Sequence, residues 1–100
     1  MKSIPNHPFK ELSGEFVKKP NGENYLMKHF LAICLTSMKA SWDNADEIFK
    51  LMGKISSVEG ETIELEDAEY KLCLDAMKQN GAMLSPLFIG PAKMVFQEVK

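Results

Sequence analysis

The sequence predicts a mainly α (α+β) domain of three to four helices with a small β-hairpin and one short strand. Three observations predict it. Apolar residues recur at helical spacing in separate stretches, turn residues punctuate those stretches, and only short runs around Phe16, Tyr25 and Ile63 have strand character. A length of 100 residues fits one domain. We place that domain at residues 14–100 and read residues 1–13 as an N-terminal arm, because Pro5, Asn6, Pro8 and Ser13 leave only scattered apolar positions there.

Glu15-Phe16-Val17 and Asn24-Tyr25-Leu26 flank Pro20-Asn21-Gly22, which supplies the fixed φ and then the positive φ of a tight turn, so a hairpin is expected, with a structured loop as the alternative. Met27, Phe30, Leu31, Cys34, Leu35 and Met38 form one helical face, which Ala32 and Ile33 widen, while Lys28, His29, Thr36 and Lys39 lie on the other. After Ala40-Ser41-Trp42, Asp43 is the expected N-cap of a second helix over about residues 44–56, with Asp46 and Glu47 complementing its dipole. Its apolar side is Ala45, Ile48, Leu51, Met52 and Ile55. Lys50 and Lys54 follow those acids at pairing distance on a solvated face. Thr62-Ile63-Glu64-Leu65 alternates as a strand should. Asp67 then caps a third helix carrying Tyr70, Cys73, Leu74 and Met77, stopped at Asn80-Gly81. A last short helix is expected from Pro91, with a turn over Leu87 to Gly90, because a helix begun at Pro86 would hold Pro91 inside it. The sequence shows no internal repeat and no low-complexity segment.

Composition narrows function more than it assigns it. The net charge is −2, and all 12 basic residues are lysine, which removes the guanidinium forks that read guanine and phosphate. The longest apolar run, Phe30 to Leu35, is far below the roughly 20 residues of a membrane span. The amino end has no secretory pattern, so a cytoplasmic location is expected. Cys34 and Cys73 sit within apolar helical faces and read as buried reduced thiols. His7 and His29 have no cysteine or histidine at ligand spacing, and Cys34 and His29 fall on different faces of one helix. We therefore expect no catalytic residues, no metal and no cofactor. Ile55 to Glu66 imitates a calcium loop through Gly60 and Glu66, but its first position is Ile55, where calcium needs oxygen.

Two local excesses remain as candidate interaction surfaces. Residues 1–40, 41–70 and 71–100 carry net charges of +3, −7 and +2, and residues 59–69 hold six acids without a lysine. Glu59, Glu61 and Glu64 could dock a basic partner or another copy, or simply form a solvated loop. Ala82 to Gly90 is apolar out of helical phase, so Leu87, Phe88 and Ile89 either form a protein-binding patch or fold over the core as a lid. The alternative class is a nucleic-acid accessory protein using Lys18, Lys19, Lys28 and Lys39 with Tyr25 or Trp42 as a stacking group.

The order of hairpin, apolar helix, Ile48-Phe49-Lys50-Leu51, Gly60-Glu61-Thr62-Ile63-Glu64-Leu65, Asp67-Ala68-Glu69-Tyr70 and Ser85-Pro86-Leu87-Phe88-Ile89-Gly90-Pro91 resembles small uncharacterised proteins of tailed bacteriophages and prophages. The resemblance spans residues 14–99 and departs at Pro91, where that group tends to carry glutamine. It implies a phage accessory protein in the host cytoplasm and brings no catalytic residues. The resulting expectation is a non-enzymatic, self-associating protein-interaction module, with a phage or host protein as the other partner and no membrane involvement.

Overall fold

The computed structural model describes residues 2–80 and 86–98, together with all side chains there except those of Pro86, Leu87 and Ile89. Among these residues the order is β1 (Lys2–Pro5), α1 (Met27–Thr36), α2 (Ala45–Ser56), β2 (Thr62–Leu65), α3 (Asp67–Asn80) and α4 (Pro86–Glu98). The expected mainly α, α+β class is what the chain adopts. β1 and β2 form a two-stranded antiparallel sheet with Ile4 opposite Ile63 and Lys2 opposite Leu65. The helical faces read from spacing are those that pack: Met27, Phe30, Leu31, Cys34 and Leu35 of α1 meet Ile48, Leu51 and Ile55 of α2 and Cys73, Ala76 and Met77 of α3. No helix among the described residues is long and apolar enough to cross a membrane.

The N-terminal arm is the first correction. Residues 2–9 are built into the domain: Ile4, Asn6 and Phe9 are buried, Asn6 N–H donates to the Glu61 carbonyl at 2.8 Å, and Asn6 Oδ1 accepts the Lys28 N–H at 2.9 Å. The segment was illegible as a strand because a single apolar residue, Ile4, carries its inward face. Its pairing partner lies some sixty residues along the chain.

The hairpin and the repeat are the second. Phe16-Val17 and Asn24-Tyr25 do face each other across a turn, with Lys18 bridged to Asn24, but no two-stranded ladder forms. Instead three segments close a ring. Phe9 N–H donates to the Tyr25 carbonyl, Tyr25 N–H to that of Val17, and Val17 N–H to that of Phe9, at 3.0, 2.8 and 2.9 Å. The three residues are spaced eight apart, and residues 9–16, Phe-Lys-Glu-Leu-Ser-Gly-Glu-Phe, and 17–24, Val-Lys-Lys-Pro-Asn-Gly-Glu-Asn, form an imperfect octapeptide repeat that shares lysine, glycine and glutamate at three of eight positions. Each copy turns the same way: Gly14 and Gly22 both have φ of 90°, and Ser13 Oγ and Asn21 Oδ1 each accept the N–H two residues on. Lysine, glycine and glutamate define the repeat while its apolar positions differ, so it leaves no trace in the apolar pattern.

The helix termini shift slightly and α4 shifts more. Asn44, not Asp43, precedes α2, and its Oδ1 accepts the Ser41 N–H at 2.7 Å. Asp67 opens α3 from inside the first turn, while the Glu69 carboxylate accepts the Glu66 N–H. α4 begins at Pro86 and runs through Pro91, so the turn expected at Leu87 to Gly90 is helical. Pro86 suits a first helical position. Pro91 forfeits one backbone bond, and tertiary packing offsets that loss through buried Ala92 and Phe96 and through Phe88, which joins the core aromatics.

Candidate functional site

The octapeptide ring presents Val17, Lys18, Lys19, Pro20 and Tyr25 toward one side of α1. There, with His29, Ala32 and Ile33 of α1 and Phe88 of α4, they line an open cleft of about 590 Å³. Its floor is aromatic. Phe88 meets Phe9 and Tyr25 edge-on, with centroids 5.2 and 5.1 Å apart, and lies parallel to Phe30 at 6.2 Å. Ile33, 46% exposed, forms an apolar wall that no other element covers among the described residues. Half-burial raises the Tyr25 hydroxyl pKa, with a smaller contribution from Cys34, so Tyr25 stays a neutral aromatic surface.

The rim is cationic, and its geometry is specific. Nδ1 of His29 accepts the Leu26 N–H at 3.0 Å, which caps α1 and leaves the ring proton of the neutral imidazole on Nε2. That nitrogen lies 3.4 Å from Lys19 Nζ. Two N–H donors therefore stand side by side, and the Glu23 carboxylate pairs with Lys19 at 3.9 Å. Burial, then the charges of Lys19 and Lys28, lower the His29 pKa against the opposing influence of Glu23.

The sequence candidates distribute unevenly over this surface. Lys18, Lys19, Tyr25 and Phe88, assigned from sequence to two rival interfaces, meet in one cleft. The side chains of Leu87 and Ile89, and residues 82–85, lie outside the described residues. Phe88 is the lid of the aromatic core and only its cleft-facing part is available. Lys28 is engaged elsewhere, with Nζ on the Val58 carbonyl, and Lys39 lies past the end of α1, outside the cleft lining, with its backbone N–H on Gln79 Oε1. Trp42 stands 94% exposed before α2, away from the cleft lining. Glu59 and Glu61 are exposed in the segment before β2, and Glu64 is exposed within it, where it accepts from Ser3 Oγ at 2.7 Å. Sequence reasoning missed His29 and Ile33, because an imidazole on a polar face and an isoleucine beside an apolar stripe carry no signal until the ring of segments is closed beside them.

Both cysteines are buried and free. Burial pushes Cys34 up to about 11, and burial with neighbouring Cys34 and Glu69 pushes Cys73 up to about 12, so both are thiols without nucleophilic character near neutral pH. No family model matches this chain, and no match was found among curated proteins or solved structures.

Proposed function

We propose that the chain is a non-enzymatic protein-interaction module, an accessory protein of the phage or prophage type that its segments resemble, working in the host cytoplasm. One observation carries the reading: an open apolar cleft over Tyr25, Ile33 and Phe88 is bordered by two converging cationic or N–H donor groups, Lys19 and His29. Such a site takes an apolar side chain that has a carboxylate next to it. Catalysis is disfavoured because His29 is committed to capping α1 and both thiols are held protonated.

The test is a titration with a short peptide bearing an aromatic residue beside aspartate, followed by amide and methyl shifts. Shifts confined to Val17, Tyr25, Ile33 and Phe88, abolished by Ile33→Asp, are the expected result. Binding unaffected by Ile33→Asp, or no binding, overturns the assignment.

A nucleic-acid accessory role is the second reading. Phe16 is 42% exposed, and Lys10 and Lys18 each sit over its ring, 5.4 and 6.0 Å from the centroid. An aromatic flanked by lysines is the pairing that single-stranded nucleic acid exploits. Salt-sensitive binding of single-stranded DNA, lost in Phe16→Ser, would favour it over the cleft.

A further inference from the structure

The cleft needs an occupant with a large apolar group adjoining carboxylates, and the chain displays one such group itself. Trp42, its single tryptophan, is 94% exposed, although an indole normally finds cover in a folded domain. It is followed at once by Asp43, and Asp46, Glu47 and Phe49 are likewise exposed, with Phe49 at 77%. This is the acidic third of the chain, while the cleft belongs to the lysine-bearing third. The two places carry opposite charge and each presents apolar surface, and neither Trp42 nor Asp43 lines the cleft of its own chain.

We infer that Trp42 and Asp43 of a second copy dock into the cleft, the indole over Phe88 and Ile33 and the carboxylate between Lys19 Nζ and His29 Nε2. This rests on the reading of the cleft as a docking site. The carboxylate supplies an acceptor for His29 Nε2–H and joins Glu23 in facing the Lys19 ammonium. Two such contacts related by a twofold axis close a dimer, and contacts repeated head to tail continue as a ring or an open chain. Leu12, exposed at the tip of the first octapeptide between Glu11 and Glu15, is the competing anchor, and its smaller side chain covers less of the cleft.

Because Trp42 is the one indole, its fluorescence reports the contact directly. Emission and light scattering are followed together over a concentration series at low salt. The expected result is a shift to shorter wavelength in step with a rise in mass, both reversed by salt. Trp42→Ala, Ile33→Asp and Lys19→Glu should each weaken association about tenfold or more, a loss of about 1.4 kcal/mol. Leu12→Ser should leave it unchanged, and Lys19→Glu combined with Asp43→Lys should restore it. A mass that stays that of one chain, or association with the indole still at its exposed wavelength, overturns the inference. If the separate aromatic–aspartate peptide still binds the cleft in that case, the docking-site reading survives and only the second copy as its occupant falls. If neither binds, both fall.

Discussion

Tyr70 and Phe96 are joined twice: their rings stack with centroids 5.1 Å apart and 17° between planes, and the Tyr70 hydroxyl donates to the Phe96 carbonyl at 2.7 Å. The second contact fastens α4 to α3 near the end of α4, where carbonyls lack intrahelical partners. Tyr70→Phe keeps the stack and removes the donor. It should cost about 1 kcal/mol, read as a lower urea midpoint at unchanged slope.

Asn80 performs a similar service for α1. The helix ends at Thr36; the carbonyls of Ile33 and Leu35 are met by the N–H groups of Ser37 and Met38, and that of Ala32 accepts the Thr36 hydroxyl. The Cys34 carbonyl receives Nδ2 of buried Asn80 at 3.2 Å, which also donates to Ala76 O at 2.8 Å. Asn80→Ala should destabilise by about 1–3 kcal/mol, because a buried carbonyl loses its donor. Asn80→Asp should cost at least as much, since it turns an oxygen toward that carbonyl. Denaturant midpoints of both variants check this.

The helices were legible for a reason that does not extend to the site. Met27, Phe30, Leu31, Cys34 and Leu35 advertise their burial through spacing within one element, and Ile48, Leu51 and Ile55 do the same. β1 and the cleft depend on partners distant in sequence. Ile4 acquires its strand from Ile63, and Phe88 acquires its place from Phe9, Tyr25 and Phe30. The octapeptide is written in Lys10 and Lys18, Gly14 and Gly22, and Glu15 and Glu23, a polar signature that apolar periodicity does not register. Pro91 misled for the opposite reason: a strong local rule lost to the burial of Ala92 and Phe96.

The two kinds of glycine make a paired prediction. Gly22 turns the second octapeptide at φ of 90°, a conformation that strains a residue with a Cβ, and Gly22→Ala should destabilise by about 1–2 kcal/mol. Gly53 lies within α2 with open space where a Cβ would stand, so Gly53→Ala should stabilise by about 0.5–1 kcal/mol. Equal signs in thermal and urea unfolding of the two variants would contradict the assigned conformations.

His29 makes stability depend on pH in a direction that its contacts fix. Its Nδ1 must stay unprotonated to accept the Leu26 N–H, and protonation would add a charge beside Lys19 and Lys28, so the folded pKa lies below the ordinary 6.5. Above about pH 6.5 the ring is largely neutral in both states and the cap contributes fully. As pH falls below that value the unfolded chain takes up the proton first, and stability declines until the folded pKa is passed. Glu69 acts later. Burial favours its neutral form, but hydrogen bonds from Lys54 and the Glu66 N–H, with the Lys54 charge, hold its carboxyl below the ordinary 4.5. Its contribution is therefore present above that range and lost only as pH falls through the lowered value. The two can thus be separated. His29→Gln retains an oxygen that can accept the Leu26 N–H and cannot titrate. The parent urea midpoint should fall between about pH 7 and pH 5 while that of His29→Gln stays nearly level, and both should fall together once the Glu69 carboxylate protonates. Parallel curves through the upper window would show that His29 does not cap α1.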